Sequence, residues 1–160
     1  MASGPGNNMQ KFSAVRYSFS ETHLRSSITS RCISAIWPAG PPKSPVQLIE
    51  EVGAGEALGR GSTFISERCN IKEAFTLSGA VGAVSSTLGI ATAATNHNTR
   101  HPIVTASHAT TMHRLTGGRF TLGLGRGIAA LFDAYGIPRI TTAQIEDFVG
   151  ILRRRWHGAG

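Results

Sequence analysis

Past residue 30 the chain alternates short apolar runs with longer stretches in which apolar positions recur every three or four residues. These are the signatures of buried strands and of helices packed on one face. The first run, 32–37, closes at Pro38 and the Gly40-Pro41-Pro42 turn. Ser44 then caps a helix with Pro45 in its first turn and Gln47 reaching back, and Gly59 ends it. A second strand is expected over 62–66. Asn70 is the expected cap of the next helix, with Glu73 as its capping-box partner and Ala74, Leu77, Ala80, Val81 and Val84 on its apolar face. A third strand over 88–94 ends in the polar run 95–100, and a helix over about 103–115 stops at Gly117-Gly118. A fourth strand, 119–124, leads through a glycine turn into a helix over 128–135. A last helix opens at Thr141 or Thr142 and runs to Trp156.

Strand starts near 32, 62, 88 and 119 lie about 30 residues apart, the length of one βα unit, and imply a parallel sheet with right-handed crossovers. Two architectures use that repeat. A doubly wound sheet closes its core with four or five strands, whereas a (β/α)8 barrel needs eight and about 250 residues. With 160 residues, length alone favours the doubly wound sheet. No charge occurs between Glu73 and Arg100, yet Gly, Ser, Thr and Asn lace that stretch too densely for a membrane span. A buried helix followed by a buried strand accounts for it.

Composition narrows the class. The chain is 41% hydrophobic with 19 glycines and 7 prolines, which is globular and excludes collagen, coiled coil and wholesale disorder. Cys32 and Cys69 cannot build a disulfide framework and no CxxC occurs, so a reducing, cytoplasmic setting is expected. The net charge of +7 comes from 13 Arg and 3 Lys scattered singly, apart from Arg153-Arg154-Arg155, which fan around a helix. Aromatics do not interleave with them, so no nucleic-acid partner and no membrane partner is expected. Residues 1–30 are rich in Ser, Gly and Asn. They fit a transit peptide only loosely and read as a disordered leader, or an upstream extension with Met9 as the natural start.

Polar residues gather after the strands: Glu67 and Arg68, Thr95 to Arg100, and Arg126. In a parallel α/β sheet ligands bind at that end of the strands. The Gly123-Leu-Gly-Arg-Gly127 turn invites a dinucleotide reading, but its third glycine comes one place early and Ile128 stands where the fingerprint needs Gly. His97, His101, His108 and His113 lack metal-ligand spacing and a nearby acid, so no metal is expected. There is no Gly-x-Ser-x-Gly elbow for covalent hydrolysis.

Ser66-Glu-Arg-Cys-Asn-Ile-Lys-Glu73, Thr95-Asn-His-Asn-Thr-Arg-His-Pro102 and Gly117-Gly-Arg-Phe-Thr-Leu-Gly-Leu-Gly-Arg-Gly127 resemble the bacterial-luciferase-like superfamily. The tail, Tyr135-Gly-Ile-Pro-Arg139 and Glu146-Asp-Phe-Val-Gly-Ile-Leu-Arg-Arg154, resembles the stretch after its fourth strand. Within the superfamily the chain is most similar to the deazaflavin-dependent oxidoreductases, which use coenzyme F420 in place of a flavin. The resemblance implies an α/β fold of the (β/α)8 TIM-barrel type, truncated here to about four βα units, with residues 31–160 as the N-terminal half of the barrel. It implies a cofactor across the C-terminal rim, with Glu67 beside the ring and Arg68 where some relatives carry a catalytic His. A cis-peptide bulge at Ala93-Ala94, followed by Thr95 and Asn96, would back the ring, and Arg126 and Gly127 would complete the rim; no catalytic residue is assigned. The implied activity is hydride transfer between F420 and a small organic substrate. The alternatives are an FMN-dependent monooxygenase of the same superfamily and a non-catalytic ligand-binding remnant. A half-barrel is further expected to leave two unpaired edges and an apolar inner face, through which a homodimer could close the barrel.

Overall fold

The structure, a computed structural model, describes residues 44–157 in full and the backbone of Ser13–Val15 and Ser34–Ile36. These two short segments are strands β1 and β2, and the first expected strand therefore survives as Ser34–Ile36. Of the leader expected over 1–30, everything but β1 lies outside the described residues.

Local chemistry sets most of the remaining boundaries. Helix α1 (Pro45–Ala57) starts where Ser44 accepts the Gln47 amide and proline occupies the first turn. Strand β3 is Ser62–Ile65. Helix α2 (Ala74–Val84) corrects the expected start: Glu73, not Asn70, is the cap, and its carboxylate accepts the amides of Phe75 and Thr76. Residues 68–72 are already committed to a tight turn in which Arg68 and Lys72 exchange main-chain hydrogen bonds, so Asn70 sits at the turn's exposed tip. Strand β4 (Gly89–Thr92), strand β5 (Thr95–Asn96) and a 3₁₀ turn (His97–Thr99) follow. Helix α3 (Pro102–Leu115) begins on proline, strand β6 is Phe120–Gly125, and short α4 (Ala129–Tyr135) ends on left-handed Gly136. Helix α5 (Thr142–Trp156) carries a complete capping box between Thr141 and Gln144. Among the described residues no helix is long and apolar enough to cross a membrane.

The strand order separates the two architectures. Strands β2, β3, β4 and β6 lie side by side in chain order, all parallel. Because strand order never reverses, right-handed crossovers place every connecting helix on one face, as in a barrel and unlike a doubly wound sheet. The core agrees. Leu48 and Val52 of α1, Leu77 and Val81 of α2, Ala109 and Met112 of α3, and Phe148 and Leu152 of α5 form one buried cluster with Ile65, Ile90, Phe120, Leu122 and Leu124. Length misled here because barrel geometry does not require that all eight units be present in the chain in hand.

The opposite sheet face is in part the apolar inner face that was expected. Register puts Ser34, Ser62 and Gly89 in one row, and Ile36, Phe64, Ala91 and Thr121 in the next. That second row is apolar at β2 and β3, and small or hydroxylated at β4 and β6. One edge expected to be free is also occupied, since β1 pairs antiparallel with β6, Ser13 opposite Leu124 and Val15 opposite Leu122.

Candidate functional site

At the C-terminal end of the strands the β4–β6 ladder slips. Ala91 is level with Thr121, but Thr95 is level with Leu124, so residues 92–94 span the interval covered by 122 and 123 on β6. This is a β-bulge, and the Ala93–Ala94 peptide within it is cis, at the position the resemblance indicated. Main-chain bonds tie the bulge to β3: Ala93 donates to the Ile65 carbonyl at 2.8 Å, and Glu67 donates to the Ala94 carbonyl at 3.2 Å.

Glycines on β6 make the room. A Cβ on Gly123 would lie 2.0 Å from the Thr92 carbonyl oxygen, and one on Gly125 would lie 2.9 Å from the Ala94 Cβ. Gly127, at φ +73°, abuts the Phe132 ring and the Asn96 Oδ1. The spaced glycines that invite a nucleotide reading are thus consumed by the approach of the bulge and of Phe132.

Of the residues singled out from the sequence, Glu67 and Thr95 face inward. The Glu67 side chain is 0% exposed. Its Oε1 accepts the amide of Ala74, the first residue of α2, at 3.2 Å. Its Oε2 accepts the Thr95 hydroxyl at 2.6 Å and Arg100 Nη1 at 3.0 Å. The Arg100 guanidinium also donates to the hydroxyls of Thr95 and Thr99, pairs with Glu73, and lies 4.2 Å from the centre of the Phe75 ring. The two charges bounding the long uncharged stretch therefore close on each other.

Glu73 is held below the usual carboxylate range. Burial works to raise it, but bonds from Thr76 and Phe75 and the Arg100 charge together outweigh that. Behind Phe75, His108 stacks face to face at 3.7 Å and meets Phe120 edge-on. Burial, the largest influence on it, pushes His108 down to about 4.

The remaining candidates are exposed or half-buried. Arg68 and Ala93 are exposed, while Ala94 and Asn96 are half-buried. Arg126 is exposed and donates to the Thr142 hydroxyl at 2.5 Å. Among the described residues neither Arg68 nor Arg126 forms an ion pair with a carboxylate. The rim is built from the Ala93-Ala94 bulge packed directly on the glycines of β6. Arg68 and Arg126, on the segments after β3 and β6, bring free positive charge to the same rim, a donor set suited to a flat ring carrying an anionic tail.

The histidines do not assemble. His97 is buried edge-on to Phe148, His101 accepts the Ile103 amide at the start of α3, and His108 lies in the aromatic stack. Among the described residues no three His, Cys, Asp or Glu side chains converge. Arg100 was placed at the rim only as the end of the polar run 95–100, and neither its pairing with Glu67 nor its contact with Phe75 was foreseen. The signal available for Arg100 was its isolation, as the charge that ends the long uncharged stretch.

Comparison with known proteins bears on this rim. A family model described as luciferase-like monooxygenase matches residues 28–160. The 5,10-methylenetetrahydromethanopterin reductase of Methanopyrus kandleri is 29% identical over 115 residues, covering 69% of this chain and 33% of that protein. The phthiodiolone/phenolphthiodiolone dimycocerosates ketoreductase of Mycobacterium tuberculosis is 30% identical over 111 residues, 68% of this chain and 29% of that one. Among solved structures, the coenzyme F420 dependent tetrahydromethanopterin reductase from Methanopyrus kandleri superposes with a TM-score of 0.56 at 27% identity, covering 66% of this chain and 29% of that one. The oxygenating constituent of 3,6-diketocamphane monooxygenase from Pseudomonas putida, in complex with FMN, gives a TM-score of 0.66 at 22% identity, over 77% and 38% of the two chains, and bears on the fold alone. The chain spans about a third of the length of the curated relatives it matches.

Proposed function

The chain belongs to the luciferase-like monooxygenase family, and from that premise we propose that its rim holds the deazaflavin coenzyme F420 for hydride exchange with a small organic substrate. The observation that carries this reading is the bulge at residues 92–94, where the β4–β6 ladder slips by one residue at the C-terminal end of the strands. Ala93 and Ala94 would back the ring, with Thr95 and Asn96 holding the bulge against β6. Arg68 and Arg126 would meet the phosphate and carboxylate charges of the cofactor tail, and Gly127 lets Phe132 and Asn96 pack close beneath that part of the rim. Bound there, a deazaflavin supplies a ring carbon that accepts or gives a hydride, and the protein supplies orientation and charge.

The buried Glu67 carboxylate accepts from three protein donors, the Ala74 amide, the Thr95 hydroxyl and Arg100, so its part is to hold the bulge from beneath.

Fluorescence titration with F420, run beside FMN, tests the reading. Saturable uptake of F420 is the expected result. Uptake of FMN alone would replace it with the flavin-dependent reading. A folded protein that takes up neither would be a ligand-binding half-barrel without this chemistry.

A further inference from the structure

We infer that Arg100 is the positioning residue of the rim, acting through Glu67 on the Ala93–Ala94 bulge. The inference rests on the reading of that bulge as the backing of a cofactor ring.

The geometry is a clamp. Arg100 lies two residues before α3, and its side chain, only 16% exposed, reaches across to Glu67 just past β3, to Thr95 of β5 and to the cap of α2. Among the described residues it is the sole cation paired with Glu67. A fully buried carboxylate is tolerable only when charge and hydrogen bonds replace the water it has lost. Here the α2 amide and the Thr95 hydroxyl supply hydrogen bonds, and Arg100 alone supplies the opposite charge. The same residue, Glu67, donates its main-chain N–H to the Ala94 carbonyl. The order of dependence therefore runs from Arg100 to the Glu67 side chain, then through its main chain to Ala94. Neither Arg100 nor Glu67 needs to touch the ring. Each would act by holding the main chain on which the ring rests.

The test is amide hydrogen exchange followed by NMR on the cofactor-free protein, with Arg100→Gln and Arg100→Lys beside wild type. In R100Q the carboxylate stays buried without its cation, and exchange at the amides of Glu67 and Ala93 should rise about ten-fold or more, the worth of one charge-assisted bond. Amides in α1 and the middle of β6 should hold their wild-type rates. A merely structural role would instead raise exchange throughout the core, and that result, or unchanged rates at Glu67 and Ala93, overturns the inference. If R100Q fails to fold, R100K carries the same criterion. It keeps the charge, but its single ammonium cannot reproduce the planar fork, so the rise should be local and smaller. The dissociation constant for F420 should rise in parallel with exchange. Failure of wild type to take up F420 would tell against the cofactor reading only, because the exchange measurement contains no cofactor and still decides the role of Arg100.

Discussion

His108 shows how one residue couples packing to pH. Its ring lies flat on Phe75 and edge-on to Phe120, and burial holds its pKa near 4, against 6.5 for an exposed histidine. The folded state thus binds the proton less readily than the unfolded chain. The stacking contribution should be complete above pH 6.5, fall away between 6.5 and 4, and change no further below that. Melting temperatures across this range should decline less steeply in His108→Phe than in wild type, and an identical slope would rule the explanation out. Gly123 makes a second case at this scale. A methyl group there would enter the van der Waals radius of the Thr92 carbonyl oxygen, a backbone atom that cannot swing aside. Gly123→Ala should cost about 3 kcal/mol in chemical denaturation. Gly53, inside α1 with nothing within 4 Å of an added Cβ, is the control: Gly53→Ala should stabilise by about 0.5–1 kcal/mol. The glycine pattern was visible in the sequence, but which glycines are crowded depends on what folds against them.

Between elements, a few polar side chains fasten helices to strands. Glu56, near the end of α1, accepts the Ser85 hydroxyl, the Thr87 hydroxyl and the Thr87 amide, tying α1 to the segment that enters β4. These bonds, that from Ser85 foremost, lower its pKa to about 2 from 4.5. A depressed carboxylate stabilises the fold above its unfolded value, so this contribution should be present above pH 4.5 and vanish as pH falls to 2. Because Glu56 is only half-buried and solvent still screens it, Glu56→Gln should cost only about 1 kcal/mol at neutral pH, read by urea denaturation, with the difference from wild type closing in acid. Element starts set by a neighbouring side chain were legible in advance, as at Ser44 and Thr141. The start of α2 was not. Its cap, Glu73, is paired with Arg100 from a distant segment, and sequence spacing carries no trace of that partner.

At the scale of the whole molecule, a net charge of +7 and two exposed arginines at the rim favour anionic ligands. Affinity for F420 should therefore fall with rising ionic strength, and the salt dependence should be visibly shallower in the Arg68→Gln/Arg126→Gln double variant. Equal slopes would remove both residues from the site. The chain's own order of apolar runs, caps and turns determined the repeating βα units, because periodicity and capping act between residues a few places apart. The resemblance carried by the three motifs likewise indicated where the bulge falls. Tertiary structure alone decided the rest: which side chains of α1, α2, α3 and α5 meet in one core, that β1 lies along β6, and that Glu67 points inward to Arg100. Each of these is a pairing between residues far apart in the chain, and such pairings are chosen by what must be buried together.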